Sequence, residues 1–420
     1  MRSFQTIAFI SVQSDPAIES GSQSVYVRQL GEALSRLGWQ VDMFTRQTDL
    51  NQANIVQHNP LCRTIRLAAG TIDYLPRINL IGSLPEFLKQ FRQFQLDNEL
   101  EYCIIHTNSW LSAWVGMELK KVQSVRHIHT FHSLGAVQYG YEHDIPNIAK
   151  TRLAIEKACL ETADLTIATC PQQRDYLREL VSAKGCVEIL SSGTDIELFG
   201  SIPRTLARKQ LEIESDIFNV LYVGKFDRIS GVETLVKALS KAQIHSVADI
   251  RLTLVNRSRG GSPLLKKRIE KLIWDSGLDN ITNFVEEIEP KQLAMYYAAA
   301  DVCVIPSQYN PSGIVAMEAM ASGTPVVASN LGGLKYVVQH EATGLLFPAQ
   351  NSFLLTRAIY RLATKPEMRS QFIEAGKARV EELFTWDIVA AQLSEFYLEQ
   401  IEEQNLASLH KSLNYSAKAV

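Results

Sequence analysis

Short apolar runs alternate with amphipathic stretches along most of the chain. "TIAFISV" at 6–12 has the character of a buried strand, and "SVYVRQLGEALSRLG" at 24–38 follows a loop with its apolar residues at helical spacing. "WQVDMFT" at 39–45 then reads as the next strand. Strands that are apolar at nearly every position, rather than at alternate ones, suit a parallel sheet covered on both faces. Their alternation with helices implies right-handed β–α–β crossovers.

The pattern restarts after a polar, mixed stretch, "GTDIELFGSIPRTLARKQLEIESD" at 193–216, which reads as a passage between domains. "FNVLYVG" at 218–224 opens a second sheet, and "DIRLTLVN", "ITNFV", "DVCVIPS" and "TPVVAS" are its expected later strands. The fold class is therefore α/β, with two Rossmann-like halves at 1–205 and 206–384, their parallel sheets facing a central cleft. A site is expected at the carboxyl ends of the strands. Residues beyond 385 read as helical and polar, fraying at "SLHKSLNYSAKAV". Two segments keep a second reading open. "LPEFLKQFRQFQ" at 84–95 lines up Phe87, Phe91 and Phe94 among basic residues, as either a packing face or a membrane-surface or partner face. The basic stretch "PLLKKRIEKLIWDSG" at 263–277 poses the same choice.

Composition narrows the class. At 420 residues the chain exceeds one ordinary core and suits two domains. With 46% hydrophobic and 21% charged residues it is globular, and a net charge of −3 with no basic block argues against nucleic acid as a partner. Cys62, Cys103, Cys159, Cys170, Cys186 and Cys303 are scattered without a C-x-x-C, so buried free thiols in a reducing, cytoplasmic setting are expected. The apolar run at the N-terminus is too short for a signal peptide or a span, and no run approaches the roughly 18 residues a membrane helix needs.

The chemistry concentrates at strand ends. After "DVCVIPS" the turn "QYNPSG" (Asn310, Pro311, Ser312, Gly313) leads into the helix "GIVAMEAMASG", placing free N–H groups and a helix dipole where a phosphate would sit. Glu318, about a turn and a half in, is placed to accept hydrogen bonds from two ribose hydroxyls, or else is a surface helix former. "SNLGGLKY" at 329–336 adds flexible backbone beside it. In "YVGKFDRISGVETLV" at 222–236, Lys225 leaves a strand end and is placed to neutralise a diphosphate, or else is an ordinary surface lysine. No D-x-D motif occurs, so no metal and no cofactor are expected. In the first half, Gly21, Ser22 and Gln23 of "ESGSQSVYV" form a small polar loop entering a helix, a weak acceptor-side signal. "HIHTFHSLG" at 127–135 brings three histidines to a strand end, with His132 as a sugar contact or a structural histidine; zinc is disfavoured because no carboxylate or cysteine stands at ligand spacing.

These residues carry a resemblance. From "VYVRQLGEALSRLGWQVDMFTR" through "TRLAIEKACLETAD" to "AMEAMASGTPVVAS" and "FTWD", the chain resembles the retaining family-4 glycosyltransferases of GT-B fold, notably the branch of sucrose-phosphate synthases. The resemblance implies a donor domain in the second half, an acceptor domain in the first and a C-terminal helix, about 385–420, crossing back to the first. It further implies metal-independent hexose transfer from a nucleotide diphosphate sugar to a small-molecule or glycan acceptor. Carried over by position, Glu318 matches the ribose-binding Glu of the E-x7-E motif, His132 the strand-end His near the transferred sugar, and Gly21 and Gln23 parts of the acceptor-side G-G-Q-N loop.

Other positions depart from the pattern. Asn310 stands for the first motif Glu, Ser312 for a Phe, Lys225 for an Arg and Ser230 for a Lys. Ser22 and Ser24 replace a Gly and an Asn, Asn108 a His, and Asn256 and Arg257 two glycines; Gln138 sits where a cation is common. Losing two charge-assisted hydrogen bonds of roughly 1.5–3 kcal/mol each would slow transfer by roughly a hundredfold to ten-thousandfold. Arg228, Arg257 and Arg259 lie close enough in sequence to replace the missing cations or to plug the phosphate pocket. Two readings follow: a hexosyltransferase of weakened or altered activity, with Lys225, His132 and Asn310 at the reacting sugar, or a catalytically impaired paralogue that binds or stabilises a protein partner.

Overall fold

The computed structural model describes residues 5–18, 21–73, 75, 77–141, 145–257, 263–286 and 288–417. The chain divides into two compact units: Met1–Thr169, Gln173–Leu190 and Asp387–Val420 form the first, Cys170–Gln172 and Ser191–Trp386 the second.

In the first unit the strands are β1 (Thr6–Ile10), β2 (Gln40–Arg46), β3 (Ile55–Asn59), β4 (Cys62–Leu67), β5 (Ile104–Asn108), β6 (Arg126–Thr130), β7 (Leu165–Ala168) and β8 (Val187–Ile189). Among the described residues they form one sheet in the order β3-β4-β2-β1-β5-β6-β7-β8. Pairing is parallel throughout except between β3 and β4. That hairpin departs from the expected all-parallel sheet: only Pro60 and Leu61 join its strands, and so short a link permits only an antiparallel pair. The helix Leu84–Asp97 settles the first amphipathic segment as a packing face. Phe87 and Phe91 are fully buried, and the rings of Phe91 and Phe94 lie 4.5 and 5.5 Å from that of Phe44.

The long helix Trp386–Ala417 enters the first unit at Asp387. There Tyr397 is fully buried with its hydroxyl 2.5 Å from Nδ1 of His106 on β5, and the Trp39 indole N–H donates to Ser394 at 2.9 Å.

The second unit contains β9 (Phe218–Gly224), β10 (Ile250–Asn256), β11 (Thr282–Glu286), β12 (Val302–Ile305), β13 (Val326–Ser329) and β14 (Gly344–Phe347). They form a parallel sheet in the order β11-β10-β9-β12-β13-β14. Alternate residues of each strand enter opposite cores. Val220, Leu252, Val302, Val304 and Val327 face one layer, while Leu221, Val223, Val255, Cys303, Ile305 and Val326 face the other. Burial on both faces explains the unbroken apolar runs, each such side chain contributing about 1.5–3 kcal/mol.

The passage between units falls at Leu190–Ser191 rather than at 205. The polar stretch after it belongs to the second unit because its two short helices are anchored there. Phe199 packs on Tyr297, Ala207 on Ala298 and Ala299, and Arg204 and Arg208 pair with Asp301 at 2.7 and 3.0 Å. The basic helix Pro263–Asp275 buries Ile269 and Ile273 and leaves Leu264 and Trp274 exposed. All six cysteines are free, and Cys186 corrects the expectation of burial by standing exposed. No helix among the described residues is long and apolar enough to cross a membrane.

Candidate functional site

Three loops leave the carboxyl ends of β9, β12 and β13 in the second unit and pack backbone against backbone. Gly231, at φ +78°, lies so close to Pro306 that a Cβ there would meet its carbonyl oxygen at 1.9 Å. A Cβ on Gly333 would meet the carbonyl oxygen of Pro311 at 2.5 Å, and the Gly333 N–H donates to the Asn310 carbonyl at 2.8 Å. Glycine is required at both contacts for closeness, and at Gly231 for its backbone angle as well. The Gln308 N–H, donating to the Ile229 carbonyl at 2.7 Å, ties the first two loops.

Within this cradle the predicted residues take distinct places. Gly313, at φ +67°, caps the helix Ile314–Ala321, and its N–H donates to Oδ1 of Asn310 at 2.9 Å. The Asn310 amide thus shapes the turn from within. Pro311 and Ser312 are half-buried on it. Ser230 also holds its own loop: its hydroxyl donates to the Asp227 carbonyl at 2.7 Å, while Oδ1 of Asp227 accepts from the Ser230 N–H at 2.8 Å. Lys225 is exposed just past β9, where the Tyr222 hydroxyl donates to its carbonyl at 2.6 Å.

Glu318 is no surface helix former, being only 2% exposed. Both its oxygens are engaged by the chain itself. Nη1 of Arg257, just past β10, donates to Oε1 and Oε2 at 3.1 and 2.8 Å, and the Tyr297 hydroxyl donates to Oε2 at 2.8 Å. Burial and the neighbouring carboxylate hold the Tyr297 phenol well above its usual range. Burial acts to weaken the Arg257 cation, but Glu318 and Tyr297 outweigh it and raise its pKa. Of the other arginines, Arg228 is exposed, and Arg259 lies outside the described residues.

The first unit gathers its polar groups at the ends of β1, β5 and β6. Nε2 of His132 lies 2.9 Å from Oδ1 of Asn108, and its ring meets Tyr26 edge-on at 4.8 Å. Burial pushes His132 down to about 4, so it is neutral at pH 7. The Gln23 amide donates to the Ser11 hydroxyl at 3.1 Å and accepts from Gln13 at 3.0 Å. Gly21 and Ser22 are exposed at the entrance of the helix Ser22–Arg36, and Glu19 and Ser20 lie outside the described residues. Gly21 has extended backbone and open space where a Cβ would stand, so no close approach requires glycine there. The cap is made by Ser24, whose hydroxyl accepts from the Gly21 N–H at 3.1 Å.

Sequence reasoning missed the buried pair that carries the loop after β6. Glu156 accepts from the Gly135 N–H at 3.0 and 3.1 Å and from Arg152 at 2.7 Å, and Arg152 also reaches Gln138 at 3.1 Å. A cation therefore stands beside Gln138 after all, supplied by the i, i+4 pair in "TRLAIE".

Two α/β units with polar groups gathered at the carboxyl ends of their strands match a glycosyltransferase scaffold, and comparison with known proteins gives the family. Residues 203–379 match the family "Glycosyl transferases group 1", and residues 21–193 match "Glycosyl transferase 4-like domain". A D-inositol 3-phosphate glycosyltransferase of Corynebacterium aurimucosum is 31% identical over 405 residues, 93% of this chain and 95% of that one. A sucrose-phosphate synthase structure from Thermosynechococcus elongatus is 43% identical, covers 95% of this chain and 100% of its own, and superposes with a TM-score of 0.86. Anabaena HepE in complex with UDP and glucose, at 18% identity and a TM-score of 0.75 over 94% of this chain and 100% of its own, shares the fold. The chain belongs to the family-4-like glycosyltransferases of GT-B fold.

Proposed function

We propose that the chain transfers a hexose from a nucleoside diphosphate sugar to a small phosphorylated sugar or polyol, with retention at the anomeric carbon and no metal at the reacting sugar. The second unit's cradle carries this reading: a fixed helix N-terminus with a buried carboxylate about a turn and a half in. Its N–H groups suit a diphosphate, and Glu318 suits ribose hydroxyls. The phosphorylated acceptor rests on the names of the inositol-phosphate and sucrose-phosphate relatives. In the reaction the bond from the anomeric carbon to the diphosphate oxygen breaks as the acceptor hydroxyl bonds to the same face. The hydroxyl proton passes to the departing oxygen. Lys225 and the helix N-terminus offset the charge that grows there. His132, being neutral, is assigned to a sugar hydroxyl, with Gln23 on the acceptor side. Six free thiols agree with a cytoplasmic reaction.

One observation favours the second reading, an impaired paralogue that binds ligand or partner without turnover. Arg257 takes both oxygens of Glu318 that ribose would use. A nucleotide must displace this pair, which weakens its binding. Calorimetric titration of the wild type and Arg257→Gly with UDP, ADP and GDP, alongside a product assay with the matching glucose donors, separates the readings. Transfer by the wild type, with nucleotide affinity rising about tenfold or more in Arg257→Gly, supports the enzyme and the competition, about 1.4 kcal/mol per decade. Binding and transfer by Arg257→Gly alone make the wild type an impaired relative. Absence of heat from both proteins at millimolar nucleotide sinks the nucleotide-sugar reading. Lower affinity in Arg257→Gly would instead make Arg257 a ligand of the diphosphate.

A further inference from the structure

His127 and His129 stand two residues apart on β6 and so share one face of the first sheet. Both are completely buried. The Thr107 hydroxyl on β5 lies between them, 2.7 Å from Nε2 of His127 and 2.8 Å from Nδ1 of His129. Each ring is left with one nitrogen, Nδ1 of His127 and Nε2 of His129, that has no hydrogen-bond partner. Two orphaned imidazole nitrogens at zero exposure demand an explanation, because buried polar atoms are nearly always satisfied. The helix Ala149–Thr162 brings the third group, the buried thiol of Cys159. One ligand atom from each of His127, His129 and Cys159 lies within 4.8 Å of the other two. Sequence spacing places no thiol near these histidines, which is the argument against zinc; the fold supplies the thiol of Cys159, 30 residues downstream of His129.

We propose that His127, His129 and Cys159 form a buried site for one thiophilic cation of the zinc type. Two imidazoles and a thiol suit a borderline-soft ion and not magnesium or calcium, which take oxygen ligands. Zinc bonds of about 2.0–2.1 Å to nitrogen and 2.3 Å to sulfur require the three groups to draw together slightly. The imidazoles are oriented for it, each held by Thr107 at one nitrogen with the other left without a partner. Cys159 ligates as a thiolate, so binding releases its proton to solvent. Lys120, paired with Asp164 at 2.7 Å, is the nearby cation, and that carboxylate also accepts the backbone N–H of His127 at 2.8 Å. Thr107, holding both rings, fixes their orientation as an outer-shell group would. The ion would tie β6 to the helix covering it, on the strand that leads to His132. The site is independent of the transfer reaction and stands whether or not that reading holds.

The test uses the full chain stripped with a chelator and titrated with cobalt(II), whose thiolate charge-transfer absorption reports sulfur ligation. The expected result is one equivalent bound, with an absorption that zinc displaces, that persists in Cys186→Ser and that is lost in Cys159→Ala. Absence of the band at millimolar cobalt, or its survival in Cys159→Ala, overturns the site and leaves buried water as the occupant. Should that variant fail to fold, the wild type decides. Zinc should slow alkylation of Cys159 in mild denaturant by about tenfold or more, read by peptide mass mapping, and equal labelling with and without zinc overturns the proposal.

Discussion

The two units bury polar groups in opposite ways. The first keeps His106, His127, His129 and His132 as neutral imidazoles on hydroxyl and amide partners, whereas the second keeps Glu318 and Arg257 as a hydrogen-bonded ion pair. Either solution satisfies the requirement that a group taken from water be neutral or paired. They fail differently. Protons break the first, and loss of a partner breaks the second.

Acid gives the largest expected effect. Burial lowers His106 to about 3 and His132 to about 4, against an ordinary value of 6.5. The unfolded chain takes up protons from about pH 6.5 downward, while the folded first unit resists them until about pH 4 or below. Stability from these groups is therefore complete above pH 6.5 and is lost as pH falls through the folded values. At about 1.4 kcal/mol per pH unit, His132, which is half-buried, contributes at most about 3 kcal/mol across that span. Hydrogen exchange in urea, compared at pH 7 and pH 5, should show the first unit losing protection well ahead of the second. Equal losses would mean that the imidazoles are not kept neutral.

Removing a partner tests the other side. Glu318→Leu strands the Arg257 cation and the Tyr297 hydroxyl and should destabilise the second unit by about 3–5 kcal/mol. Glu318→Gln should cost less, since an amide oxygen still accepts from Tyr297. An unchanged urea midpoint in the leucine variant would show that the pair contributes nothing. The smallest effect belongs to the turn: Asn310→Ala removes the acceptor of the Gly313 N–H and should cost about 1 kcal/mol, with Asn310→Asp close to wild type. A much larger loss in the alanine variant would mean that Asn310 supports more than its own turn.

What the sequence disclosed follows the range of each interaction. The run "FNVLYVG" is β9 residue for residue, because burial on both faces writes itself into consecutive positions. The strand "GLLF" is absent from the sequence reading, although it is as long as β12 and β13. Glu318 was found from its place on a helix after a strand, a local feature. Its partner Arg257 lies 61 residues away, and nothing in the spacing between them distinguishes a plug from a replacement cation. Ser230 and Asn310 stand at positions where the resemblance implies ligand groups, and their neighbours show that both also hold loop backbone. Cys159 escaped for the same reason as Arg257: the fold, rather than the spacing, makes it a neighbour.

The helix Trp386–Ala417 has a consequence for the order in which the protein is made. Residues that line the interior of the first unit, Tyr397 against His106 and Ser394 against Trp39, emerge from the ribosome after the whole second unit. The second unit can close as soon as its own strands are out, but the unit synthesised first must wait with its β5 face uncovered. During that interval the nascent chain shows apolar surface that the finished protein hides, and a chaperone has its best opportunity there.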